Sequence, residues 1–215
     1  MNTYLEIDSV VKSYDGRTIL SDIYLKCVPG NIIGLFGRNG SGKSTLFNIL
    51  YGTCKAERSF IRINDKVIHG KAYKTGMIGY LPQEDFLPKD MRVKDIIRLA
   101  CPEANNLMTD DIAQRVFDNR ADELSGGEIR YIELLILLNG KAPFIILDEP
   151  FNGLAPVTVE KLCTLITESS KTKSILLTDH NYRAVIEVAD TYMLLHEGFL
   201  RPIKELDELK GIYFI

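Results

Sequence analysis

Apolar and polar positions along this chain change their spacing in an ordered way. At the start they alternate, in Tyr4-Leu5-Glu6-Ile7 and again from Ile19 to Val28, the two-residue period of a strand with one buried face. Asp15-Gly16 between the two stretches is a turn signal, so they read as two strands of an antiparallel edge sheet. Pro29-Gly30 makes a second turn, and Ile32-Ile33-Gly34-Leu35-Phe36 then runs apolar without alternation. A short unbroken run of this kind suits a strand covered on both faces. Leu46, Ile49 and Leu50 share one face of a helix starting at Ser44, with Gly52 as its stop. A further hairpin is expected over residues 61–68, tipped by Asn64-Asp65, and a strand over residues 77–81, ended by Pro82.

The texture changes between residues 85 and 123, which are more charged and carry helical spacing at Val93, Ile96, Ile97 and Ala100. With a helix after Gly127 that runs to about Asn139, this reads as a helical subdomain over about residues 85–139, inserted in a larger unit. Phe144-Ile145-Ile146-Leu147 is again wholly apolar, the pattern of a central parallel strand. Helices over residues 157–169 and 182–189, a strand over 174–178 and a final strand pair near 192–200 complete an alternating α/β order. The expectation is one domain, residues 1–215, with a mostly parallel core sheet and an antiparallel N-terminal β subdomain.

Composition narrows the function classes. The chain has 215 residues, 46% hydrophobic and 26% charged, with a net charge of −3, which gives no reason to expect a nucleic-acid partner but leaves room for a local basic patch. No window holds the ~18 apolar residues a membrane span needs, so a membrane role requires a partner chain. The opening MNTYLEID is too polar for a signal peptide. The four cysteines have no metal-like or paired spacing, which suits reduced thiols in a cytosolic protein.

The chemistry begins at Gly37-Arg38-Asn39-Gly40-Ser41-Gly42-Lys43-Ser44-Thr45, which fits G-x-x-x-x-G-K-[ST] between an expected strand and helix. Glycines let successive N–H groups point at one anion without a Cβ in the way. Lys43 supplies a positive charge to terminal phosphates, the Ser44 hydroxyl can ligate Mg²⁺, and the helix start adds its dipole. This is a phosphate loop for a nucleoside triphosphate. A chance glycine-rich turn would lack the flanking elements.

Asp148-Glu149-Pro150 follows the apolar run directly. Ligands of open α/β sheets bind at the carboxyl ends of strands. There Asp148 can hold the metal and Glu149 can polarise an attacking water as general base. Alone, the pair would equally suit a solvated acidic turn. Leu124-Ser125-Gly126-Gly127-Glu128 places a good N-cap and two glycines at a helix start, a second anion cradle in one chain. Taken by itself the pentapeptide could be only a helix cap. A second cradle makes sense if two copies pair and each completes the other's site.

GRNGSGKST, LSGGE and FIILDEP in this order resemble the nucleotide-binding subunits of ABC transporters. IGYLPQE, LSGGE, DEPFNGL and TDHN look most similar to the ATPases of lipopolysaccharide export and branched-chain amino-acid import. The resemblance implies an ABC-type P-loop NTPase that binds ATP and Mg²⁺, works as a head-to-tail dimer and drives an integral membrane subunit from the cytoplasmic face. It also implies roles for residues that carry none alone. Gln83 would contact Mg²⁺ and the attacking water, His180 the γ-phosphate, and Tyr14 would stack on adenine. The family usually has an aspartate where this chain has Ala155, and arginines where it has Tyr131 and Ile136. The insertion is also shorter than usual, which bears on the surface that receives the membrane subunit. The alternative is a soluble ABC ATPase serving as an assembly factor, for example for iron–sulfur clusters.

Overall fold

The computed structural model describes residues 3–103, 107 and 110–209. The N-terminal strands β1 (Leu5–Tyr14) and β2 (Arg17–Cys27) form the expected hairpin. Asp15 (φ 50°) and Gly16 (φ 78°) both take positive φ at its tip, the conformation whose twist matches the flanking strands. After β3 (Ile32–Phe36) and helix α1 (Lys43–Tyr51), a second hairpin joins β4 (Arg58–Ile63) to β5 (Lys66–Val67). The two hairpins combine into a four-stranded antiparallel sheet in the order β2-β1-β4-β5. Its inner face buries Leu5, Ile7, Ile23, Leu25, Ile61 and Ile63.

The larger sheet holds β6 (Ile78–Leu81), β7 (Phe144–Asp148), β8 (Ser174–Thr178), β9 (Thr191–His196) and β10 (Phe199–Pro202) with β3, in the order β10-β9-β3-β8-β7-β6. All its pairings are parallel except β9 with β10. The unbroken apolar runs have a direct explanation here. Ile33, Leu35, Phe144, Ile146 and Leu176 face a core shared with α1 and the antiparallel sheet. Their neighbours Ile32, Phe36, Ile145, Leu147, Ile175 and Leu177 face the helical layer. Side chains alternate across a strand, so a sheet covered on both sides needs apolar residues at every position.

The helical layer comprises α2 (Val93–Ala100), α3 (Asp111–Arg115), α4 (Gly126–Asn139), α5 (Pro156–Ser170) and α6 (Tyr182–Val188). Leu87, Val93, Ile96, Ile97 and Ile112 from the inserted segment belong to the same apolar cluster as Ile145 and Leu177. Part of the inserted segment, residues 104–106 and 108–109, lies outside the described residues. Expected and observed element ends agree closely. The helix expected from Ser44 starts at Lys43, because Gly42 takes the left-handed cap position (φ 107°). Gly52 ends α1 at φ 91°, and a Cβ there would sit 2.5 Å from the Ala72 nitrogen, so this stop needs glycine.

Candidate active site

The loop between β3 and α1 bends back over the first turn of α1. Lys43 Nζ donates to the carbonyls of Gly37 (2.7 Å) and Arg38 (3.2 Å), which holds its ammonium against the loop. Burial pushes the Lys43 pKa down, and the carboxylates of Asp148 and Glu149 oppose that shift. A cavity of about 430 Å³ opens beside the loop. It is lined by Asn39, Gly40, Gly42, Lys43, Ser44 and Thr45 from the loop, with Tyr14, Gln83, Glu149 and His180 from four other places in the chain. Arg38 and Ser41 instead line an adjoining cavity, also of about 430 Å³, together with Arg17 and His196.

Glu149 stands at the centre of the polar contacts. Its Oε1 accepts from Gln83 Nε2 at 2.9 Å and lies 3.1 Å from His180 Nε2. Gln83 Nε2 also reaches Ser44 Oγ at 3.5 Å, so glutamine, serine and glutamate form one chain across the cavity. Asp148, at the end of β7, is buried. Burial, first of all, raises its pKa above the usual carboxylate range, and the Ser44 hydroxyl pulls it back down. Tyr80 OH donates to Asp148 Oδ2 at 3.4 Å, whereas Oδ1 is buried without a hydrogen-bond partner.

The segment Ser125–Glu128 does not line this cavity. Ser125 caps α4: its Oγ accepts from Glu128 N, and the Glu128 carboxylate accepts from Ser125 N at 2.9 Å, a reciprocal capping box. Ser125 and Gly126 are exposed, and a Cβ on Gly126 would meet nothing within 4 Å. The start of this 14-residue helix is therefore open to solvent at Gly126, with the Glu128 N–H taken by the cap.

Four further residues, to which the sequence reading assigned no role, shape the site. The buried Arg130 of α4 donates to the carbonyls of Pro82 (2.6 Å), Asp148 (2.5 Å) and Glu149 (2.9 Å). Its neighbour Glu133, fully buried, accepts from the backbone N–H groups of Phe86 and Leu87. Asp179 accepts from Phe151 N (2.8 Å) and Asn181 N (2.7 Å), joining the turn after Glu149 to the turn that carries His180. Tyr80 is the fourth. The readable signal for Arg130 and Glu133 was two charges spaced i, i+3 in an otherwise apolar helix. Buried charges need partners, and these partners are loop backbone.

The departures from the usual pattern also have places. Ala155 is the N-cap of α5 and makes no side-chain cap there. Tyr131 is fully buried and donates to Asp110 Oδ2 at 2.7 Å, with Lys161 Nζ at 2.7 Å from the same oxygen.

Comparison with known proteins bears on this arrangement. Residues 20–152 match the ABC transporter family. The chain is 32% identical over 214 residues to the lipopolysaccharide export system ATP-binding protein LptB of Escherichia coli (strain K12), covering 91% of this chain and 88% of that protein. It is 31% identical to a probable ABC transporter ATP-binding protein of Azorhizobium caulinodans, over 88% of this chain and 73% of the relative. Among solved structures, an ATP binding subunit of an ABC transporter superposes with a TM-score of 0.82 at 24% identity, covering 97% of this chain and 92% of that one. A dimeric post-hydrolysis ATP-binding cassette bound to ADP and Pi gives 0.80 at 20% identity, covering 93% and 98%. At these identities the structural likeness speaks for the fold, a mixed α/β cassette with an antiparallel N-terminal sheet.

Proposed function

The chain belongs to the ABC transporter family, and from that premise we propose that it is the ATP-binding and ATP-hydrolysing subunit of a transporter, closing head-to-tail with a second copy and driving a separate membrane-spanning partner. One observation carries this reading. A single cavity gathers Tyr14, Lys43, Ser44, Gln83, Glu149 and His180, while the exposed start of α4 at Ser125 and Gly126 lies outside it. That leaves a half-site on each copy for the other copy to complete. The relatives are named for transport, which favours this reading over a soluble assembly factor.

In this reading Tyr14 stacks on the adenine, and the loop N–H groups with Lys43 hold the terminal phosphates. Glu149 accepts a proton from the attacking water, with Gln83 and His180 bracketing its carboxylate. The residues present fit Mg²⁺: Asp148 Oδ1 is a buried acceptor without a partner, and the Ser44 hydroxyl lies on the same side. Bound there, the ion would neutralise charge that develops on the phosphate oxygens. Ser125, Gly126, Gly127 and Glu128 of the second copy would close over the γ-phosphate. Among the described residues no helix is long and apolar enough to cross a membrane, so contact with the membrane runs through the partner.

Replacing the base while keeping its shape tests the scheme. Glu149→Gln should lower ATP turnover about 10²- to 10⁴-fold, leave ATP affinity nearly unchanged, and accumulate a dimer by light scattering with ATP and Mg²⁺. Only monomers under those conditions would rule out the paired half-sites. Lys43→Ala should weaken ATP binding itself, and unchanged affinity would mean that the loop assignment is wrong.

A further inference from the structure

A second cavity, larger than the one at the phosphate loop, plays no part in this scheme. It is a groove of about 700 Å³ between the C-terminal end of α1 and the β4–β5 hairpin, and neither Gln83 nor any phosphate-loop residue lines it. Its floor is apolar, with Ile49 and Ile61 buried and Ile68 beside them, and Phe60 and Val67 stand exposed at its rim.

Lys55, Arg58 and Lys71 line it, within a segment whose charge is out of character with the rest of the chain. Residues 55–74 hold six cationic side chains (Lys55, Arg58, Arg62, Lys66, Lys71 and Lys74) and two acidic ones (Glu57 and Asp65). That is a local excess of four positive charges in a chain whose net charge is −3. Arg62 is engaged by Glu6 and Asp8, and Arg58 by Asp22. Glu57 also lines the groove, and its carboxylate accepts from Ser13 N at 2.8 Å. Among the described residues no carboxylate pairs with Lys55, Lys66, Lys71 or Lys74.

The backbone adds a third feature. β5 pairs only with Arg62 and Ile63 of β4, and Ile68 N donates to Ile61 O. Among the described residues no strand lies along the outer edge of β4 from Arg58 to Phe60, and those residues line the groove. An unpaired edge invites an added strand. A strand laid there would present alternate side chains to two surroundings, the apolar floor and the lysine rim.

We propose that this groove docks an acidic, extended segment of a partner protein, with apolar residues alternating with its carboxylates. The apolar floor and the single exposed aromatic distinguish it from a nucleic-acid surface, which would offer several stacking rings. Its concave shape suits a strand better than a lipid headgroup plane.

The test uses the full chain and a short fluorescent peptide of alternating glutamate and leucine. Controls are the same peptide with lysine for glutamate, polyglutamate, single-stranded DNA, and vesicles containing phosphatidylglycerol. The Glu/Leu peptide should bind at least about tenfold more tightly than its lysine counterpart. It should shift NMR signals confined to residues 52–71, and bind about tenfold more weakly to the Lys55→Glu/Lys71→Glu variant and to Phe60→Ser. These side chains are exposed, so thermal unfolding and ATP affinity should stay at wild-type values. Equal affinity for both peptides, unchanged binding to the variants, or tighter binding of polyglutamate, DNA or vesicles would overturn the proposal. The ATP scheme makes no use of the groove, so it stands or falls independently.

Discussion

The phosphate loop and the carboxylate turn face each other across one cavity, and both need backbone that ordinary residues avoid. The loop meets the need with glycine: Gly40 lies at φ 74° and Gly42 at φ 107°, positions open to a residue without Cβ. The turn cannot do so, because its residue must carry a carboxylate to Gln83 and His180. Glu149 sits at φ 54°, a conformation that costs an L-residue about 1–2 kcal/mol. Other elements hold it there. Glu149 N donates to Thr178 O at 2.9 Å, and Arg130 grips the carbonyls on both sides of the peptide. One region carries its geometry in its own residues; the other borrows it from α4 and β8. Strain at a reacting residue persists only where its surroundings over-determine it. The same arginine holds Pro82 O, just before Gln83. One side chain of α4 therefore sets both Gln83 and Glu149.

Removing the support should therefore have the largest effect. Arg130→Met keeps the volume but deletes every donor and leaves Glu133 as a buried charge. Breaking such a pair costs about 3–5 kcal/mol, readable as a lower urea midpoint. Turnover should fall about tenfold or more as Glu149 loses its fixed backbone, while ATP affinity changes little, because the carbonyls Arg130 holds belong to Pro82, Asp148 and Glu149. A stability loss under about 1 kcal/mol with normal turnover would mean that the turn supports itself, and the contrast would collapse.

The same contrast explains what could be read from the sequence. GRNGSGKST declares itself because its geometry and chemistry lie in nine consecutive residues. The apolar runs at residues 32–36 and 144–147 declare their strands, since burial on both faces leaves no polar position. Glu149 could be read from its place after an apolar strand, whereas Tyr14, Gln83 and His180 needed the family pattern, and the fold brings all four to one cavity. Arg130 stayed outside every motif, and Tyr80 and Asp179 lie within IGYLPQE and TDHN without a role that the motifs reveal. Apart from the Asn181 amide beside Asp179, their partners are carbonyls, an amide and a carboxylate 18 to 68 positions away, and sequence patterns carry no record of such contacts. The left-handed φ of Glu149 was hidden for a related reason. Strand β7 ends at Asp148, so strand alternation does not govern residue 149.

A middle-sized effect probes the glycine side. Gly42→Ala would put its Cβ 2.7 Å from Ile19 Cγ2 and 3.1 Å from Leu20 Cδ2, at a φ already unfavourable for alanine. Overpacking and strain together should cost about 2–4 kcal/mol and displace the loop enough to weaken ATP binding. Gly40→Ala meets nothing within 4 Å and carries the strain alone, so its cost should be about 1 kcal/mol. Thermal unfolding with ATP titration separates the two. Equal penalties would show that conformation alone, without close packing, dictates glycine in this loop.

The smallest effect is the most direct measure of strain at the turn. Glu149→Gln and Glu149→Asn both remove the base, so both should abolish most turnover. They differ in backbone preference, because asparagine tolerates the left-handed region far better than glutamine. Glutamine keeps the reach to Gln83 and His180 and asparagine loses it, but His180 is exposed and that contact contributes little. The asparagine variant should therefore be the more stable by about 0.5–1 kcal/mol, seen as a higher melting temperature in nucleotide-free protein. If glutamine proves equally stable, the φ of 54° at residue 149 stores no energy, and the hold of Arg130 on its carbonyl would serve Gln83 alone.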